Sequence, residues 1–161
     1  MQNRSILRFA ALFFLFLLGF SVLSVATTLQ NQLGRLEDAI ALLATAMATA
    51  AGSEAVIVDG NFISVRGMML HINHECTGVF VLFVLVSFIF AYPATWRAKV
   101  AGVLVGVTAL SFINVVRIAT LVRLVEFYPA AFDYFHEYVW QGAFLMLVTL
   151  YSITWVEWAR R

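Results

Sequence analysis

The single cysteine of this 161-residue chain, Cys76, stands in the run His74-Glu75-Cys76-Thr77-Gly78, directly ahead of the apolar stretch Val79 to Val86. A lone thiol has no partner for a disulfide within its own chain, and at a polar–apolar boundary it is a candidate nucleophile. The reactive form is the thiolate, whose ordinary pKa is about 8.5. Burial at an apolar helix end opposes ionisation, so the thiol needs partners. The N-terminal end of the helix that follows supplies a partial positive charge. His136 can take and return a proton as general acid/base. Arg117 can stabilise the thiolate, or the oxyanion formed when a carbonyl is attacked. Asn114, three residues before Arg117 on the same helix face, can orient the guanidinium or a substrate carbonyl. Glu75 can tune Cys76 or His136. Thr77 and Gly78 complete the cysteine turn, Gly78 by letting another backbone approach it. Gln141, beyond His136, can hydrogen-bond in the site.

Each residue also has a plain structural reading. Cys76 can be a small buried hydrophobe. Arg117 can snorkel to lipid headgroups, His136 can be a surface histidine, and Glu75 can be solvated. The case for chemistry rests on their coincidence in space, which depends on the elements that carry them.

The chain is 63% hydrophobic and 12% charged, with a mean hydropathy of +0.92. Soluble domains carry roughly twice that share of charge. The composition is that of an integral membrane protein, read as a single domain, 1–161, whose spans form one all-α bundle. It has no basic patch, so nucleic acid is not an expected partner. Four apolar stretches predict spans at about 6–28, 76–92, 100–122 and 138–158. Arg4 and Arg8 give the first the flank of a signal peptide, but its long core without a clean cleavage site reads as a retained anchor. The alanine-rich segment 36–51 is too short to cross and is expected as a surface or packed helix. Asp59-Gly60, between two β-rich runs, predicts a small hairpin, and Met68 to Ile72 can add a third strand.

Charge orients the bundle. Arg4 and Arg8, then Arg97 and Lys99, then Arg160 and Arg161 mark three segments as cytoplasmic. Segment 29–75 sets Arg35 and Arg66 against Glu37, Asp38, Glu54, Asp59 and Glu75, a net −3, and segment 123–137 sets Arg123 against Glu126, Asp133 and Glu137, a net −2. Both are expected outside, with both termini in the cytoplasm. Cys76 then opens the second span from the outside. Arg117 lies 17 residues on from Val100, about 26 Å up the third span, and His136 immediately precedes the fourth. Span lengths and charge alone bring the three to one depth on the outer side.

The motifs Glu75-Cys76-Thr77-Gly78, Asn114-x-x-Arg117-Ile118 and Phe135-His136, in that order ahead of a final span, resemble the exosortase/archaeosortase family. Tyr92-Pro93-x-x-x-Arg97-x-Lys99-x-x-Gly102 resembles its inner loop. The resemblance runs from Glu75 to Trp158, in a chain shorter than many members. It implies a polytopic membrane cysteine transpeptidase of the cytoplasmic membrane, similar in role to sortases. Its substrates would be secreted proteins bearing a C-terminal motif, transmembrane helix and basic tail. By position Cys76 would be the nucleophile, Arg117 the electrostatic partner and His136 the acid/base, with a lipid-linked or other acceptor and no cofactor.

Two other readings compete. His71-x-x-His74-x-Cys76 with Glu75 offers zinc-type ligands, as in a metal-dependent membrane hydrolase, although the spacing is not that of a helix-borne HExxH. A helix-binding or transporter-like protein would use Arg117 as a counter-charge, but the spans lack paired broken helices. Trp96, Trp140, Trp155 and Trp158 read as interface anchors, and Arg123 as a headgroup ligand.

Overall fold

The computed structural model describes residues 2–24 and 27–161, so residues 25 and 26 of the first expected span lie outside the described residues. Helix α1 (Gln2–Ser24) is followed by α2 (Thr27–Ala50). Strands β1 (Val56–Asp59), β2 (Phe62–Val65) and β3 (Met68–His71) come next, then a 3-10 turn at His74–Thr77. Helices α3 (Val79–Ala91) and α4 (Trp96–Phe127) follow. The last stretch passes through a 3-10 turn at Pro129–Ala131, the one-turn α5 (Phe132–Tyr134), a π turn at Phe135–Val139 and α6 (Trp140–Ala159).

Among the described residues, three helical stretches are long and apolar enough to cross a membrane: one in α1, then α4, then the run from Pro129 to Ala159. The expected second span is shorter, because α3 has only 13 residues and covers about 20 Å. Helix α4 is longer than the expected 100–122. Thr95 caps it, its Oγ1 accepting from the Ala98 N–H at 3.3 Å, and its 32 residues extend about 48 Å. The helix expected at 36–51 begins at Thr27 instead. Its buried face is Ala41, Ala44 and Ala48, small residues that let it lie close against α4.

The hairpin is a three-stranded antiparallel sheet of order β1-β2-β3. The first turn sits one residue later than expected, at Gly60-Asn61, because Asp59 pairs with Phe62 across a register shift. The second turn, Arg66-Gly67, has φ values of 49° and 82°, the left-handed pair of a primed hairpin turn. Alternation turns Ile63 and Val65 fully inward, against a core shared with α2, Ile72, Cys76 and the far half of α4. Arg66 ties the sheet to α4: Glu126 lies 3.5 Å from Arg66 Nε and accepts from Arg123 Nη1 at 2.9 Å. Arg123, expected as a headgroup ligand, thus has a protein partner in Glu126; its guanidinium also lies 4.8 Å from the Phe127 ring centroid.

A second core joins α3, the first half of α4 and α6 through Leu85, Ile89, Leu110, Val148 and Trp155. Aromatic pairs Phe9–Phe88, Phe16–Phe90 and Phe20–Phe83 lay α1 along α3. The end of the bundle away from Cys76 is a joint. Lys99 Nζ donates to Phe90 O at 2.7 Å, Arg160 Nε to Tyr92 Oη at 2.8 Å and Tyr151 Oη to Gly102 O at 2.6 Å. Trp155 is buried there, donating to Ala98 O at 3.1 Å, so it is not the interface anchor expected. Gly102 leaves the space its indole fills.

Candidate active site

Asn73 starts the site. Its Oδ1 accepts from the Cys76 N–H at 3.1 Å, which caps the 3-10 turn as Asx residues cap helices. Thr77 Oγ1 donates to His74 O at 2.6 Å. Gly78, at φ 72°, then swings the chain into α3. A Cβ there would stand 3.3 Å from Asn114 Cγ. The group that approaches the cysteine turn is thus an asparagine side chain, not the backbone expected. Gly78→Ala combines this crowding with a left-handed conformation that costs a non-glycine residue about 1–3 kcal/mol. We expect a lower unfolding temperature in detergent and a displaced Asn114, and an unchanged melting curve would show that neither constraint holds.

Asn114, fully buried on α4, donates from Nδ2 to Cys76 O at 2.8 Å and accepts at Oδ1 from Arg117 Nη1 at 3.4 Å. One side chain therefore couples the cysteine backbone to the guanidinium. Arg117 is only 8% exposed, and its Cζ lies 5.6 Å from the Phe144 ring centroid. Its Nε is buried without a hydrogen-bond partner, and among the described residues no carboxylate pairs with it. A buried cation whose fork is incompletely satisfied is suited to an anionic or carbonyl ligand.

From the other side, His136 Nε2 lies 3.6 Å from Cys76 Sγ. His136 precedes α6, and the chain is already helical there. It sits in the π turn, a one-residue bulge of a kind often found at functional sites, and stacks on Phe132 one turn earlier at 5.4 Å and 11°. Burial pushes the Cys76 thiol above its ordinary pKa, opposed by a hydrogen bond to the sulfur from the Asn73 backbone and by the Arg117 charge; Glu75 and Glu37 reinforce the rise. The resting thiol is therefore protonated, and ionisation needs the imidazole beside it.

The structure thus brings Cys76, Arg117, His136 and Asn114 together, with Thr77 and Gly78 shaping the turn. Glu75 is exposed and acts on the thiol only through its charge. Gln141 is exposed and, among the described residues, makes no hydrogen bond to the cluster. His71 stacks on Phe62 at 4.5 Å and shares Asn61 at 3.2 Å. Among the described residues no three His, Cys, Asp or Glu side chains converge as metal ligands would. Sequence reasoning missed Asn73, Phe132, Phe144 and Glu37. Asn73 had a readable signal, an Asx residue three before the cysteine, and Phe132 stands one helical turn before His136. Phe144 and Glu37 come from distant helices and carry none.

The chain belongs to the transmembrane exosortase (Exosortase_EpsH) family, whose profile matches residues 4–155. It is therefore a multi-pass membrane protein of the exosortase/archaeosortase class. It is also similar to a "Probable archaeosortase E" from Methanocaldococcus jannaschii, at 29% identity over 105 residues, 65% of this chain and 56% of that relative. The chain thus spans little more than half the length of the curated relative it matches. No solved structure matches it.

Proposed function

We propose that this protein is a membrane-embedded cysteine protease or transpeptidase. It cleaves the C-terminal sorting signal of secreted proteins through a thioester and passes them to an acceptor. The observation that carries the reading is Arg117: a buried cation with an unpartnered Nε and no carboxylate, beside a thiol within 3.6 Å of an imidazole. A counter-charge that only closed the fold would have its partner already.

In this mechanism His136 Nε2 takes the Cys76 proton as the scissile carbonyl arrives. The thiolate attacks the carbonyl carbon, and the oxygen gains charge against Arg117. His136 returns the proton to the leaving amine as the C–N bond breaks, leaving a thioester on Cys76. An acceptor amine, another nucleophile or water then attacks the thioester, His136 taking its proton, and the thiol is restored. Asn114 holds Arg117 and the cysteine carbonyl in register throughout.

The whole chain, 1–161, acts as one membrane domain with four crossings. The fourth is α3, whose roughly 20 Å is lengthened by about 8 Å where the 3-10 turn precedes it. Both termini lie in the cytoplasm and the site faces outward, a reading supported by the basic inner and acidic outer segments. Helix α2 and the sheet then cover the outer end. The partners are secreted proteins with a motif, helix and basic tail, and a lipid-linked or other acceptor in the cytoplasmic membrane.

Co-expression with a secreted protein carrying such a signal, followed by mass spectrometry of its C-terminus, tests this. We expect a new C-terminus near the motif, carrying water or the acceptor's mass. An identical C-terminus with and without the enzyme would reject the reading.

A further inference from the structure

The sheet ends on an open edge, and that edge runs into the cysteine. In the order β1-β2-β3 the outer side of β3 is unpaired. Among the described residues no helix or strand other than β2 packs extensively against it. The register pairs Val65 with Met68 and Ile63 with Leu70, and the Ile72 N–H donates to Asn61 O at 2.9 Å. In an antiparallel pair alternate residues exchange both bonds. Met68, Leu70 and Ile72 therefore turn their backbone groups toward β2, whereas Met69 and His71 turn theirs outward. Two N–H donors and two C=O acceptors stand free there, about 7 Å apart.

The two edges of the sheet are built differently. Free edges are usually guarded by charge, proline or a bulge. Strand β1 ends in Asp59 and carries the register shift between Ile57 and Asp59. Strand β3, Met68-Met69-Leu70-His71, has no proline, acid, lysine or arginine, and its pairing is regular. Five residues after His71 comes Cys76, across Ile72, Asn73 and the start of the 3-10 turn, a path of no more than about 15 Å. An extended peptide hydrogen-bonded to this edge would point one end at the thiol.

We propose that β3 binds the substrate by strand addition: the extended segment bearing the scissile bond, just outside the substrate's transmembrane helix, pairs with the outward groups of Met69 and His71. This deepens the transpeptidase reading and rests on it. Main-chain pairing supplies affinity with little demand on side chains. It also fixes the direction in which the peptide enters the site, so that its carbonyl reaches Cys76 and Arg117 in one orientation.

Proline substitution separates the edges. Met69→Pro deletes an outward N–H and leaves the β2 ladder intact, a position where strands tolerate proline. We expect it to raise KM for the sorting-signal substrate about tenfold, with kcat and the alkylation rate of Cys76 unchanged. Ile57→Pro, which deletes an outward N–H on the opposite edge, should leave KM as it was. In a complex of the Cys76→Ala variant with uncleaved substrate, the Met69 and His71 amides should exchange with deuterium more slowly than in the variant alone. A parental KM in Met69→Pro, or unchanged exchange in the complex, overturns strand addition. So does a finding that Met69→Pro only dissociates a dimer of the enzyme. Processing that survives in Cys76→Ala would instead reject the transpeptidase reading, so the two failures are distinct.

Discussion

Cys76→Ala is expected to abolish processing of a co-expressed substrate, by at least about a thousandfold, the scale seen when a covalent nucleophile is removed. Folding survives the change. The backbone of residue 76 makes the structural bonds, its N–H to Asn73 and its C=O to Asn114, and both remain in alanine. The side chain contacts His136 and the Asn73 backbone, so its loss removes little more than a small buried sulfur. The full-length substrate should accumulate while the variant inserts into membranes and melts within a few degrees of the parent. Processing near the parental rate would show that the thiol takes no part in the chemistry. A variant that fails to insert would be replaced by Cys76→Ser, which keeps a hydroxyl in the same volume but is a far weaker nucleophile at neutral pH.

Arg117→Gln is expected to lower kcat about 100- to 1,000-fold, the range for removing one donor from an oxyanion site. It has a second effect of known sign. The Arg117 charge opposes the burial that raises the Cys76 thiol. Without the charge the pKa rises further, the thiolate fraction at neutral pH falls, and the pH profile of alkylation moves to higher pH. Iodoacetamide should therefore label the variant more slowly than the parent at pH 7. Stability moves the other way or not at all, because glutamine can still reach Asn114 and no longer leaves a guanidinium nitrogen unpartnered. An arginine that merely anchored the helix would give the opposite pattern, with lower stability and an unchanged alkylation profile.

The parts of the fold visible in the sequence are those where hydropathy or a turn signal acts locally. The apolar cores of α1, α4 and α6, the first hairpin to within one residue of its turn and the third strand all come from short stretches. What stayed hidden depends on contacts between distant segments. Glu126 and Arg123 look like a loop because they are charged, yet α4 continues through them, since Arg66 arrives from the sheet to share the carboxylate. Trp155 looks like an interface anchor because it stands near a span end. Its indole is buried because Gly102, more than fifty residues earlier, leaves room and Ala98 offers a carbonyl. Gly78 gave a hint of close approach without naming Asn114. The exposure of Gln141 follows from the azimuth of α6 after the π turn, which spacing from His136 alone does not convey.

The shortness of α3 has a consequence for the medium in which the bond is cut. A hydrocarbon core is about 30 Å thick, whereas this helix supplies 13 residues, or about 20 Å. With α3 as a crossing, hydrophobic mismatch is met by local thinning of the bilayer on the cysteine side. In the proposed reading headgroups and water would be drawn inward there, and a thioester on Cys76 would lie below the mean lipid surface but within reach of solvent. The same dimple carries lipid headgroups to the depth of the sulfur. Competition between hydrolysis and transfer is then set partly by membrane thickness, a property of the lipids rather than of any residue in the chain.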